Sequence, residues 1–307
     1  MKSNSKNNGY KSSFPEDESL HEIWDISGKL TKENPVSETE VDAAWQSVSS
    51  KMDSRKRSNQ GLISDKFLVA SRFMMAAAVL LVIGGYLYFV PQTVTVPYGE
   101  MASVNLPDGS TAELNSGSTI RYQRFFWGDV RSVTLNGEAY FSVENNADKP
   151  FRVESNGVIT EVVGTQFNIR SWEDELNRET ELSVTEGEVS FYTMGDKDPV
   201  RVKSGQRSSW NPGLLHPTSP DSISSDDINA WRNNRLVFHD RALISILNDL
   251  ERRFDVRIDL EATDLAGETL TAYYSNPREI SVILDDISMV KGVQYSQTAN
   301  GYRIFKQ

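Results

Sequence analysis

Cysteine is missing from the 307 residues, so no disulfide, thiolate metal site or cysteine nucleophile supports this fold or its chemistry. Histidine is nearly missing. His21, His216 and His239 lie in three different segments, without a metal-ligand spacing and without completing a nucleophile–base–acid set. Basic residues are lacking over one long interval, with no Lys or Arg between Arg72 and Arg121. Charge of either sign is missing from Phe73 to Val90, FMMAAAVLLVIGGYLYFV. With no catalytic constellation in view, we expect no enzyme activity, no cofactor and no metal.

That uncharged run is the first thing present. Eighteen apolar or small residues match the length of a membrane-crossing helix, and a bilayer core forces such a stretch to close its own hydrogen bonds. A soluble amphipathic helix would carry a polar stripe, and this run has none. It begins too far into the chain for a secretory signal peptide. Tyr86, Tyr88 and Phe89 crowd its end, where amphipathic rings settle at headgroup level, and Pro91 follows as a stop. The N-terminal flank carries Arg55, Lys56, Arg57, Lys66 and Arg72, which by the positive-inside rule places residues 1–72 in the cytoplasm and 91–307 outside it. Residues 1–72 hold 11 basic and 11 acidic side chains, so the whole net charge of −11 belongs to the outer part. An acidic export argues against direct nucleic-acid binding there.

Four regions follow: an inner arm and basic linker over 1–70, the span over 71–91, an all-β domain over 92–218, and an α+β domain over 219–307. In the arm, a helix is predicted over Pro15–Ser27 with an apolar face of Leu20, Ile23 and Trp24, and Gly28 closes it. A second opens at the capping box Ser37-Glu38-Thr39-Glu40 and carries Val41, Ala44, Trp45, Val48 and Met52 at three- and four-residue spacing. Two helices of this size bury little by themselves. Trp24 and Trp45 either pack on each other or anchor the arm in the groove of a partner.

From Thr93 to about Thr218 short β-branched runs alternate with Asp108-Gly109, Asn136-Gly137, Asn156-Gly157, Glu186-Gly187 and Ser204-Gly205, dipeptides that favour tight turns. This predicts an all-β fold: a sandwich, barrel or solenoid. Asp196 and Asp198 fall in a Gly/Pro turn and read as solvated. The aromatic run Gln123-Arg124-Phe125-Phe126-Trp127 is either a sugar platform or packing at the core and rim. After a loop at 219–227 the pattern becomes β-α-β, β-α-β-β, with two helices over a small sheet. Asp240 is expected to cap a helix over Arg241–Phe254, and Asn276-Pro277-Arg278-Glu279 to start one bearing Ile280, Ile283, Leu284 and Ile287.

The stretches LPDGSTAELNSGSTIRY (106–122), GEAYFSVENNADKPFRVES (137–155), VVGTQFNI (162–169) and VTEGEVSF (184–191) resemble the FecR family of membrane anti-sigma regulators. WRNNRLVFHDRALISILNDLERRFDVRI (231–258), IWDISGKL (23–30) and AWQSV (44–48) resemble the form of the family common in Bacteroidetes. The resemblance implies a single-pass inner-membrane protein, N-terminus cytoplasmic, with a periplasmic β domain that is solenoid- or sandwich-like. Its arm, through Leu20, Ile23, Trp24, Val41, Trp45 and Val48, would bind an extracytoplasmic-function sigma factor. Its last domain would resemble, and meet, the signalling domain of a TonB-dependent outer-membrane transporter. A site-2-type intramembrane protease would cut the span, where Gly84-Gly85 weakens the helix or merely permits close packing. Some relatives cut themselves at a Gly-Thr pair, and Gly164-Thr165 matches that dipeptide. A Thr hydroxyl can attack the preceding carbonyl under strain, whereas in a strand such a pair is ordinarily a bulge. Apart from the resemblance, a membrane-tethered carbohydrate- or peptidoglycan-binding module stays open.

Overall fold

The computed structural model describes residues 37–58, 65–175, 177–196 and 198–306. The helix expected over Pro15–Ser27, with Leu20, Ile23 and Trp24, lies outside the described residues. Contacts divide the chain into Met1–Val79 and Leu80–Gln307.

In the first unit a helix runs from Glu38 to Ser58. Half of the expected capping box forms, because the Ser37 N–H donates to Glu40 Oε2 (3.2 Å). The Ser37 hydroxyl pairs instead with Thr39 Oγ1 (2.7 Å). The next helix is Asp65–Phe89, and its stretch Val69–Tyr86 is long and apolar enough to cross a bilayer. Large side chains such as Phe73, Leu80 and Leu81 stand exposed along it, as a lipid-facing helix requires. The expected end at Val90 is one residue late. Val90 precedes Pro91, whose ring pushes its neighbour out of helical geometry.

In the second unit thirteen strands form two sheets that share one long strand, Arg131–Ser142. Residues 131–136 of that strand pair antiparallel with Thr119–Tyr122 and, in part, parallel with Phe151–Ser155. Residues 137–142 pair antiparallel with Gln166–Ser171 and, in part, with Thr111–Leu114. The strand passes from one sheet to the other at Gly137, at φ 130°, where a Cβ would lie 2.5–2.6 Å from Ser118. Asn136-Gly137 is therefore no turn, contrary to the sequence pattern: it is the bend that folds two sheets over one core. By contrast Asn156-Gly157, at φ 46° and 92°, is the tight turn expected between Phe151–Ser155 and Val158–Val162. Within this domain strand pairing is antiparallel except for Arg131–Thr134 on Phe151–Glu154, and the domain is curled and mostly β. Between the sheets Phe141, Phe151, Phe167 and Phe191 are fully buried, each contributing about 1.5–3 kcal/mol of transfer free energy.

Arg131 is one of the buried cations of this domain. It donates from Nε to Lys149 O (2.8 Å), from Nη1 to Asp108 Oδ2 (2.6 Å) and Glu144 O (2.9 Å), and from Nη2 to Val163 O (3.1 Å). Three loops, 106–110, 143–150 and 163–165, are tied to one guanidinium.

The segment expected as a loop at 219–227 carries a short strand, Asp221–Ser222, on Gln206–Arg207, so the β domain extends past residue 218. The last domain has the expected element order, yet its strands make two sheets rather than one. Arg235–Ala242 pairs with Thr269–Ser275, and Arg257–Leu260, Gly301–Phe305 and Gln294–Thr298 form the other sheet. Helix Leu243–Phe254 buries Leu243, Ile246, Leu247 and Leu250, and helix Ile280–Lys291 buries Ile280, Ile283, Leu284 and Ile287. Neither expected cap forms. Asp240 (φ 46°) sits in a bulged strand, and Ala242 and Glu279 precede the helices with no side-chain cap. Asn276 (φ 53°) turns the chain before Pro277 rather than starting a helix.

Candidate functional site

On helix Glu38–Ser58 the residues Val41, Trp45, Val48 and Met52 recur at four, three and four positions and so share one face. All four are exposed, Trp45 by 65%. An apolar stripe centred on a tryptophan is the composition of a binding anchor. Leu20, Ile23 and Trp24 lie outside the described residues, so only Val41, Trp45 and Val48 are brought together.

Gly164 and Thr165 link strand Val158–Val162 to strand Gln166–Ser171. Thr165 is buried, and its Oγ1 has no hydrogen-bond partner among the described residues. Gly164 is wedged so tightly that a Cβ would meet Asn145 Cα at 2.6 Å. The carbonyls on either side are held, Val163 O by Asn146 N–H (3.0 Å) and Arg131, and Thr165 O by Val143 N–H (3.0 Å). The register shift of this strand falls just beyond, between Gln166 and Phe167. Glycine is needed here by the close approach of Asn145 and not by a positive φ.

The largest concentration of buried charge lies where the β domain meets the last domain, and sequence reasoning missed it. Arg170 Nη1 and Nη2 grip Glu175 (3.0 and 2.5 Å), and Nη2 also donates to Asp249 Oδ1 (2.9 Å). Arg252 Nη2 donates to the same two carboxylates, each at 2.8 Å. Two cations and two anions thus alternate, one of each from either domain, with Arg170 and Arg252 both buried. The Arg252 guanidinium also lies 3.9 Å over the Trp172 ring. Burial works against the Asp249 carboxylate, but the charges of Arg170, Arg252 and Arg241 and the Arg252 hydrogen bond hold it at about 2.

Beside it, Glu138 accepts from Asn115 Nδ2 (2.8 Å) and Asn168 Nδ2 (3.0 Å), and Asn168 Oδ1 accepts from Trp231 Nε1 (3.0 Å). Burial, joined by the negative charge of Asp249, raises the Glu138 carboxyl more than Arg170 and the two amides lower it. Arg232 clasps Glu113 through Nε (2.9 Å) and Nη2 while its guanidinium lies 3.8 Å over Tyr140. A cleft of about 110 Å³ remains between these groups. No linear signal marks Arg170 or Arg252 as buried, because each looks like a surface residue until the partner domain is in place.

Asp196 is also not solvated as expected. Its side chain is largely buried and pairs with His216 Nδ1 (2.6 Å). His239 pairs separately with Asp227 (3.1 Å), and among the described residues no three His, Asp or Glu side chains converge on a metal-sized point.

Comparison with known proteins gives a consistent result. A family model described as FecR protein matches residues 92–190, and one described as FecR, C-terminal matches residues 235–305. Two crystal structures of a proposed anti-sigma factor from Parabacteroides distasonis ATCC 8503 share the fold. One aligns with TM-score 0.65 and 24% identity over 71% of this chain and 100% of its own. The other aligns with TM-score 0.64 and 24% identity over 70% and 99%. No protein of curated function matches the chain.

Proposed function

The chain belongs to the FecR family, and on that premise we propose that it is a membrane-anchored regulator of a sigma factor. The observation that carries the reading is the exposed stripe of Val41, Trp45 and Val48, placed before the apolar helix, with both matched domains after it. A face of this kind needs a partner to cover it, and an extracytoplasmic-function sigma factor held at the inner face of the membrane is that partner. Leu20, Ile23 and Trp24 belong to the same surface. The β domain and the last domain face the periplasm in this reading. The last domain meets the signalling domain of a TonB-dependent transporter, and two small sheets with free edge strands suit pairing by an added strand. Release follows cleavage of the span by a site-2-type protease at the Gly84-Gly85 region, where a Cβ at either glycine would meet no neighbouring atom within 4 Å.

The decisive experiment mixes residues 1–72 with the extracytoplasmic-function sigma factors of the same genome, each purified in turn. Stable binding, lost on Trp45→Ala, supports the reading, and no binding by the intact arm ends it. Self-cleavage at Gly164–Thr165 is a separate proposal, motivated by the buried, unpartnered Thr165 Oγ1. Mass spectrometry of the full chain from membranes should then find a fragment beginning at Thr165 that Thr165→Ala abolishes. A single intact species would leave Gly164 with its packing role alone. The second functional reading, a tethered carbohydrate-binding module, draws on the exposure of Phe125 and Trp127.

A further inference from the structure

The run Gln123–Trp127 splits its three rings between two environments. Phe126 turns inward and meets Phe151 of the core edge-on, ring centres 6.1 Å apart. The Lys149 ammonium donates to the Phe126 carbonyl and fixes the loop from behind. Phe125 and Trp127 turn outward and stay 48% and 57% exposed. They do not stand alone, because the ring of Tyr88 lies 4.8 Å from Phe125 and 5.3 Å from Trp127. Phe89, 66% exposed, stacks edge-on against Tyr88 at 5.5 Å. Four aromatic rings therefore form one outward patch, two from the end of the apolar helix and two from the β domain.

The depth of that patch follows from the helix. The bilayer-length stretch ends at Tyr86, and two further residues at about 1.5 Å rise each carry Tyr88 only about 3 Å beyond it. This is the headgroup boundary, where Tyr and Trp sit with the apolar part of the ring in the acyl region and the polar atom in water. Phe125 and Trp127 touch Tyr88, so they share its depth. Val90 and Pro91 are all that separates the helix from strand Gln92–Thr95, which leaves the domain no linker on which to stand off. Arg121 and Arg124, near the patch in sequence, are exposed, so basic side chains are available to lipid phosphate although the outer part as a whole is acidic. Next to them an open cleft of about 570 Å³ runs between helix and domain, lined by Gly84, Tyr88, Gln92, Leu106, Tyr122 and Arg124. The missing side chain of Gly84 leaves one wall of it bare.

We propose that Phe125 and Trp127 are interfacial membrane anchors that seat the β domain on the phospholipid surface around its own helix. The proposal rests on the reading of Val69–Tyr86 as a membrane span. A sugar platform would need the same rings free in water, and the two uses separate experimentally.

The test uses the full chain in vesicles of phosphatidylcholine and phosphatidylglycerol, with and without bromine on the acyl chain near the headgroup. The Trp127 signal is the difference in emission between the chain and Trp127→Phe. Bromolipid should quench roughly half of that difference signal, as expected for a ring at the interface. Phe125→Ser should reduce the quenching, and Trp172, buried elsewhere, should be insensitive. A Trp127 signal equal in the two lipids overturns the proposal. So does a signal that answers to soluble peptidoglycan fragments and not to bromine, which would favour the sugar platform. Resistance of the chain to alkaline extraction from the vesicles is read in parallel. A chain that washes off loses the span and this proposal together, whereas a retained chain with an unquenched Trp127 loses this proposal alone.

Discussion

Two helices of this chain carry apolar stripes at the same spacing and put them to opposite use. Leu243, Ile246, Leu247 and Leu250 of the later helix are buried under two small sheets. Val41, Trp45, Val48 and Met52 of the earlier helix face solvent. Periodicity reports only that a face is to be covered, not whether the cover is in the same chain. On the function proposed above, the difference separates residues that hold the molecule together from residues offered to a partner.

The largest test of that contrast places a carboxylate on each stripe. Ile246→Asp should cost about 4 kcal/mol or more, enough to unfold the last domain in thermal melting of the outer part, because the charge has no partner in that core. Val48→Asp should leave stability within about 0.5 kcal/mol and abolish partner binding instead. Equal destabilisation by both would mean that the earlier stripe is covered within the chain.

A second measurement asks whether the buried helix is held by its apolar face alone. Arg170→Met strands Glu175 and Asp249 without one of their two cations and should cost about 3–5 kcal/mol in urea unfolding of the outer part. A loss below 1 kcal/mol would reduce the ionic junction to decoration. On the exposed stripe, Trp45→Ala should weaken partner binding by about 2 kcal/mol, some thirtyfold, with the melting of the outer part unchanged. Isothermal titration reads it.

An effect of similar size is a pH dependence that the later helix brings through Asp249. Asp249 has its folded value at about 2, below its ordinary 3.8, so its stabilisation is complete above about pH 4 and disappears as pH falls toward 2. The outer part should lose about 2 kcal/mol over that window, and Asp249→Asn should flatten the loss. Glu138 runs the other way. Its raised value favours the protonated folded form, so its contribution is complete below its ordinary 4.5 and declines as pH rises through the folded value.

What sequence could and could not disclose follows the same division. The helical stripes, the Asn156-Gly157 turn and the apolar run were legible because each depends on neighbours a few positions away. Asn136-Gly137 misled because its glycine serves a strand crossing between sheets, a requirement set by Ser118. Asp240 and Asn276 had cap chemistry but adopt positive φ, one in a strand bulge and one ahead of a proline. Arg131, Arg170 and Arg252 were invisible for a simpler reason. A buried arginine has the same letter as an exposed one, and its carbonyl or carboxylate partners come from 13 to 79 residues away, apart from Glu175 five positions after Arg170 and Asp249 three positions before Arg252.

The strand Arg131–Ser142 has one more implication, for degradation. Because a single run of backbone belongs to both sheets, removing that strand from one removes it from its sibling, and we expect the centre of the domain to melt as one cooperative block. A protease meeting it from outside would find resistance until the whole block gives way, and then none. Destruction of this domain would thus be abrupt, like a fuse rather than a dimmer.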